Sequence, residues 1–302
     1  MARLKSKPTK LQQILEFPLV ILGGMIEGCQ FIARRLRRRQ FKERLEIVEK
    51  PKSDPMAKYS ARIYFLAEKG TDEIRKLAER MEDEAVIERL DAAWFSVFAE
   101  FMNVYLHITE REAFSRFGNS GYREVMNSLV MFSIDCSVEM RFGEVLPHEE
   151  CQAFKEKWVQ RLNMTNQLYG RCKKLIAGSN EPPEGTVLGQ FGVMVSKLIG
   201  QPGNAMYISH CSEEAWGTGI TLLAKDYVQE FVQNKAEFNL HVEKNSSANI
   251  RRWLCGVKEL KREINYAKEH WNDKDLQNVA IAKQRELDQQ FDREMRGGER
   301  KN

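Results

Sequence analysis

The chain has 302 residues, of which 42% are hydrophobic and 30% charged, and these proportions exclude a wholly disordered protein. Its net charge of +4 is unevenly distributed: residues 1–50 hold 12 Lys and Arg against 5 Glu, and the rest of the chain holds 35 against 38 Asp and Glu. The basic character therefore belongs to the N-terminus, and the mildly acidic remainder is a poor general surface for nucleic acid.

Residues 17–26 form an uncharged apolar run near the N-terminus. A longer stretch, residues 11–33, has the length of a membrane span but contains Glu16 and Glu27. A spanning helix needs about 20 mainly apolar residues, and an acidic side chain inside the bilayer is costly. We therefore predict that this segment does not span a membrane. Glu27 also disfavours a lipoprotein cleavage site at Gly28 and Cys29, where the preceding position requires a small residue.

On a helix, residues 11–32 present one apolar stripe, and an arginine run follows directly. An apolar stripe with a polybasic run is typical of a segment that lies on an anionic membrane surface. We predict contact with a membrane or a partner through Leu15, Phe17, Leu19, Leu22, Met25, Ile26 and Phe31. Contact with an anionic partner is predicted for Arg34, Arg35, Arg37, Arg38, Arg39, Lys42 and Arg44. A core or oligomer-interface helix with a solvated arginine face remains an open alternative.

After the proline-bearing residues 51–55, the body of the chain reads as helices. Three- and four-residue spacing of apolar side chains predicts a long helix over residues 83–108 and others over residues 122–142 and 149–177. Gly70 is expected to end one helix, and Thr109 with Glu112 to cap another. Shorter helices are predicted over residues 186–199 and 205–238, the latter interrupted near Gly217. No stretch shows convincing strand alternation, so the predicted fold class is an all-α multi-helix bundle.

The C-terminal part of the chain is highly charged but keeps a narrow apolar stripe. Leu254, Val257, Leu260, Ile264 and Ala267 follow heptad-like spacing, which predicts a helical hairpin or a short coiled coil. The expected domains are therefore an N-terminal apolar and arginine-rich helix (residues 1–50), a helical bundle core (residues 56–240) and a charged helical extension (residues 247–297).

Motifs that fix a reaction are absent from the sequence. It contains neither a phosphate-binding glycine loop nor an HExxH zinc motif, and none of its five histidines has an acidic residue three positions earlier, as a di-iron carboxylate site requires. We expect no metal and no cofactor. The six cysteines lack a CxxC pair and are expected to be reduced thiols in a reducing compartment.

Two chemical candidates remain, and neither is assigned a catalytic role. His107 ends an apolar stretch before several charged residues, where a histidine is usually a satisfied terminal residue. His210 precedes Cys211, but adjacent helical residues point about 100° apart, so the thiol would need a base from another helix, such as His107.

The sequence favours a non-enzymatic scaffold protein associated with a membrane surface or membrane complex through its N-terminal segment. Protein partners or self-association are expected, with a cytoplasmic location that is peripheral on the membrane's cytoplasmic face. Two alternatives stay open: a nucleic-acid-associated helical protein that uses residues 34–44, and an enzyme with a pocket inside the bundle.

Overall fold

A computed structural model describes residues 54–177, 185–270 and 274–296 of the chain. These residues are 84% helical, with eight α-helices and no strand, so the predicted all-α class is confirmed. They belong to one compact unit, Lys50–Asn302. The predicted membrane and anionic-partner contacts, from Leu15 to Arg44, lie outside the described residues.

The helices are connected mostly by short loops. They are α1 (Pro55–Arg80), α2 (Glu84–Phe142), α3 (His148–Tyr169), α4 (Val187–Leu198), α5 (Ala205–Gly217), α6 (Ile220–Gln233), α7 (Ser246–Glu269) and α8 (Lys274–Arg296), and a 3-10 turn follows α6 at Lys235–Glu237. Helices α1 and α2 pack along each other at the centre, α7 packs on both of them, and α4 pairs with α5.

Helix α1 runs without interruption through Gly70, so the predicted helix end there is wrong. The reason is tertiary packing: a Cβ at Gly70 would lie 2.5 Å from Cε1 of Phe101, so only glycine admits this ring of α2. The hydroxyl of Thr71 donates to the carbonyl of Ala67 within the helix rather than starting a new one. The cost of a helical glycine, about 1 kcal/mol, is offset by burial of the Phe101 ring.

Helix α2 extends far beyond the predicted end at residue 108. Thr109 is not a cap, because its buried hydroxyl donates to the Tyr105 carbonyl and lies 2.7 Å from the Tyr59 hydroxyl of α1. Before the helix predicted from residue 122, the helical backbone is interrupted at a single non-helical residue, Gly118, with φ 64° and ψ −162°. Glycine adopts this backbone conformation without the strain that a side chain brings.

Close approach of backbones brings two helix pairs together. A Cβ at Gly256 of α7 would lie 2.7 Å from the backbone carbon of Ala57 in α1, and one at Gly192 of α4 would lie 2.5 Å from the Ile208 carbonyl oxygen in α5. Beside the first contact, the fully buried Trp253 packs edge-on against the Tyr64 ring. These glycines therefore set the distance between helices that form the core.

None of the helices in the described part of the chain combines the length and apolar character needed to cross a membrane.

Buried polar clusters as candidate functional sites

One polar cluster, the clamp network, joins α2, α3 and the start of α7. Its members are Asp135, Glu139, Lys155, Ser246 and Asn249. The Lys155 ammonium lies 2.5 Å from Oδ1 of Asp135, 2.7 Å from Oε1 of Glu139 and 3.0 Å from Oγ of Ser246. Ser246 donates to Asp135 at 2.7 Å, and the Asn249 amide donates to the other Asp135 oxygen at 2.6 Å. Both oxygens of Asp135 are thus hydrogen-bonded.

A serine beside a lysine is the arrangement of a Ser–Lys nucleophile, but the charges here oppose that chemistry. A lysine base must be neutral to accept the serine proton. Burial alone would lower the pKa of Lys155, but its hydrogen bonds to Asp135 and Glu139 outweigh burial and raise the pKa above its usual value. Lys155 therefore stays protonated, and the clamp network stabilises the helix arrangement instead of activating Ser246.

A second ion pair ties the start of α1 to α7. Asp54 caps α1 by accepting from the backbone nitrogen of Ala57, and its other oxygen accepts from Nε of Arg252 at 2.8 Å. The Arg252 guanidinium also donates to the Asn239 carbonyl and lies 4.8 Å from the centroid of the Phe132 ring. One side chain thereby holds α1, α2 and the loop before α7 together.

Another polar cluster, the polar seam, lies between α2 and α3 and is less completely hydrogen-bonded. It consists of Glu100, Asn103 and His107 of α2 and of Trp158, Arg161, Asn166 and Tyr169 of α3. Nε of Arg161 donates to Oε1 of Glu100 at 2.6 Å, and the Trp158 indole donates to Oδ1 of Asn103 at 2.8 Å. The rings of His107 and Tyr169 are 5.2 Å apart.

Several buried atoms of the polar seam have no hydrogen-bond partner among the described residues. These atoms are Oε2 of Glu100, Nδ2 of Asn103, Oδ1 of Asn166, the Tyr169 hydroxyl and both ring nitrogens of His107. Buried polar groups in folded proteins are nearly always hydrogen-bonded, to protein, water or a ligand. The cluster of exceptions therefore marks this interface as the strongest candidate site in the described part of the chain.

Burial also raises the pKa values of two acid groups in the polar seam. Burial raises the pKa of Glu100 above its usual value, and the nearby Arg161 and Asn103 oppose that rise only in part. The Tyr169 hydroxyl has a pKa well above its usual value because of burial and, secondarily, the negative charge of Glu100. Acid groups with shifted pKa values that share an interface are typical of functional sites.

We expect Glu100→Gln to become more stable relative to the wild type as the pH rises from about 4 to about 7. A carboxyl whose pKa is raised by folding contributes stability that is fully present below its unfolded-state pKa and is lost as the pH rises through the folded-state pKa. The wild type thus loses stability over this range, and the glutamine variant lacks that loss. Urea unfolding followed by circular dichroism at three pH values measures the difference.

Glu73→Gln provides the matched control for this pH dependence. The hydrogen bond from Lys76 lowers the pKa of Glu73, so its contribution is present above the unfolded-state pKa and is lost on acidification. As the pH rises, the free energy of unfolding relative to the wild type should therefore increase for Glu100→Gln and decrease for Glu73→Gln. If the stability difference between Glu100→Gln and the wild type did not change with pH, the raised pKa of Glu100 would be contradicted.

The histidine and cysteine candidates are not brought together. His107 contacts Tyr169 and lies 3.5 Å from Oε2 of Glu110, not beside Cys211. Cys211 is fully buried in α5, and burial raises the pKa of its thiol strongly. It therefore stays in the unreactive thiol form. Sequence patterns singled out His107 but missed Glu100 and Tyr169. The sequence feature that could have identified these two residues is a polar group on an otherwise apolar helix face.

No group of three or more His, Cys, Asp or Glu side chains suited to a metal ion occurs within residues 54–177, 185–270 and 274–296. Comparison with known proteins finds no matching family model, no similar curated protein and no similar solved structure.

Proposed function

We propose that this protein is a non-enzymatic helical scaffold that lies on the cytoplasmic face of a membrane through residues 11–44 and associates through its C-terminal helices. The membrane role is supported by the apolar stripe and the arginine run of the sequence. The scaffold role is supported by the clamp network and the Asp54–Arg252 pair, which tie α1, α2, α3 and α7 into one body.

Exposure along α7 supports an interaction role most directly. On its apolar stripe, Val257 and Leu260 are 0% and 6% exposed, whereas Ile264 is 45% exposed. All nine residues from 261 to 269 are exposed, including Tyr266. The stripe therefore continues beyond the part of α7 that the bundle covers, as in a helix that packs against a further helix.

Helix α8 offers a second surface of the same kind. It is joined to α6 by ion pairs of Lys225 with Glu286 and of Asp226 with Lys283, while Ile281 is 49% exposed. Both signs of charge alternate along the exposed parts of α7 and α8, so an antiparallel second copy of the chain would place acidic side chains beside basic ones. We therefore commit to self-association as the interaction.

Flotation with vesicles tests the membrane role. The full-length protein should bind vesicles of phosphatidylserine and phosphatidylcholine, and replacing the five arginines from Arg34 to Arg39 by glutamine should weaken binding more than 100-fold. Each basic residue contributes about 1 kcal/mol near an anionic surface, so five supply several kcal/mol. A chain that begins at Ser53 retains the Asp54 cap of α1 and should not float.

A matched control replaces five exposed basic residues of the body by glutamine and should leave flotation unchanged. These are Arg80, Arg123, Lys157, Arg171 and Lys197. Equal flotation of the full chain and of the chain from Ser53 would overturn the membrane role. Binding to mixed DNA and RNA without binding to vesicles, again lost with the arginines, would show that the anionic partner is nucleic acid.

Sedimentation equilibrium tests the self-association. The wild type should form a dimer at micromolar concentration, and the double variant with Ile264→Glu and Ile281→Glu should dissociate at least tenfold more readily, because each glutamate must be desolvated at the interface. Met164→Glu on α3, at a side chain that is 61% exposed, is the control and should leave the dimer intact. A wild type that stays monomeric at about 100 μM would contradict the proposal.

A further inference from the structure

Three partly exposed rings form an aromatic patch on the surface of the bundle: Phe95 and Phe142 of α2 and Phe154 of α3. The ring centroid of Phe142 lies 4.8 Å from that of Phe95 and 4.9 Å from that of Phe154. A straight helix would separate Phe95 from Phe142 by about 70 Å. Their contact therefore requires that α2 fold back at its interruption, Gly118, so three helical segments contribute to the patch.

The aromatic patch has a buried floor and an exposed outer side. Phe98 and Trp158 are 1% and 4% exposed, and their ring centroids lie 5.8 Å and 5.3 Å from that of Phe95. On the outer side, Phe154 is 38% exposed, and Val145 of the loop between α2 and α3 is 54% exposed. Contiguous apolar surface of this kind is typical of a site where another molecule binds.

The charged side chains around the aromatic patch are mostly acidic. Residues 139–156 contain five glutamates against one arginine and one lysine. Both cations already have partners, because Lys155 belongs to the clamp network and the Arg141 guanidinium lies 4.2 Å from the centroid of the Trp94 ring. Four of the glutamates are exposed: Glu144, Glu149, Glu150 and Glu156. The rim of the aromatic patch is therefore negatively charged.

This combination of apolar centre and acidic rim selects among the possible occupants. An anionic membrane surface would be repelled by the glutamates. A second copy of the chain, docked through the same face about a two-fold axis, would place the two acidic rims against each other. A helix with an apolar stripe and basic flanks matches both features, because its apolar side chains cover the rings and its cations meet the glutamates.

We propose that the aromatic patch docks an amphipathic helix of a partner protein, with apolar side chains on one face and Lys or Arg along the edges of that face. Phe154 is the central apolar contact, and Glu149 and Glu150, in the first turn of α3, pair with the basic side chains. The surface is distinct from residues 11–44 and from the exposed parts of α7 and α8. It therefore adds a second partner to the proposed self-association.

A model peptide of leucine and lysine, about 14 residues long and patterned as an amphipathic helix, is the probe. Fluorescence anisotropy should show that the labelled peptide binds the full-length protein. Binding should weaken at least tenfold in Phe154→Gln and in the double variant Glu149→Lys, Glu150→Lys. The loss in the double variant should shrink at about 0.5 M salt, whereas the loss in Phe154→Gln should persist. A peptide with glutamate in place of lysine should bind at least tenfold more weakly.

Matched controls make the same chemical changes away from the aromatic patch. Phe114→Gln on α2, at a ring that is 45% exposed, and the double variant Glu213→Lys, Glu237→Lys, at two exposed glutamates, should both leave peptide binding unchanged. If circular dichroism shows that Phe154→Gln does not fold, the double variant of the α3 glutamates decides.

Three outcomes would overturn the proposal. The first is that the wild type does not bind the peptide, or that the control variants lose binding equally. The second is that Phe154→Gln abolishes binding to vesicles of neutral phosphatidylcholine but leaves peptide binding intact, which would show a lipid occupant. The third is that Phe154→Gln dissociates the dimer in sedimentation equilibrium without affecting peptide binding, which would show that a second copy covers the aromatic patch.

Discussion

Replacing Lys155 by methionine is expected to lower the free energy of unfolding by about 3 kcal/mol, near the lower end for breaking a buried ion pair. Two carboxylates, Asp135 and Glu139, would lose their shared cation, and they are only 14% and 17% exposed. Methionine fills much of the same volume, so the effect reports the lost charge and not a cavity. Urea unfolding followed by circular dichroism measures the loss.

The same substitution should change the response to alkaline pH. Because the folded-state pKa of Lys155 is raised, its contribution is fully present below the unfolded-state pKa and is lost as the pH rises through the folded-state value. The wild type should therefore lose more stability than Lys155→Met at high pH. Lys76→Met, at an exposed lysine paired with Glu73, is the control and should leave stability almost unchanged. An equally small effect at Lys155 would contradict the role of the clamp network.

Replacing Gly256 by alanine is expected to lower the free energy of unfolding by about 3 kcal/mol, at the upper end for overpacking a core. The new Cβ would lie 2.7 Å from the backbone carbon of Ala57 and from the backbone nitrogen of Lys58. Backbone atoms of α1 cannot move aside as a flexible side chain does, so the two helices must separate. Thermal and urea unfolding both measure the loss.

Gly217→Ala is the matched control for this change. Gly217 also lies in a helix, at the end of α5, but an added Cβ meets nothing within 4 Å there. Alanine at this position should leave stability unchanged or raise it by about 0.5–1 kcal/mol through helix propensity. If both alanine variants were equally stable, α1 and α7 would not be in the contact described.

Apolar spacing was sufficient to predict the helical class and the positions of most helices. It failed where tertiary contacts outweigh local signals: Gly70 continues a helix because Phe101 packs against it, and Thr109 bonds to Tyr59 instead of capping. Both outcomes depend on a helix distant in sequence, which a local pattern cannot contain.

The candidate site was harder to predict than the fold, for a related physical reason. Glu100 and Tyr169 are ordinary members of amphipathic helices when each helix is considered alone, and Lys155 looks like a surface lysine. Their properties arise only when α2 and α3 pack and remove water from both sides. By contrast, the proposed membrane contact depends on local composition, so it was predicted from residues 11–44 themselves.

The pair between Asp54 and Arg252 spans 198 positions of the sequence. On the ribosome, α1 emerges early, but the face that it presents to Trp253 and Gly256 stays uncovered until almost the whole bundle has been synthesised. Closing such a long loop is entropically costly and delays the final packing step. A nascent chain stalled before α7 should therefore remain sensitive to protease along α1, and a chaperone that shields apolar helices would find its substrate there during synthesis.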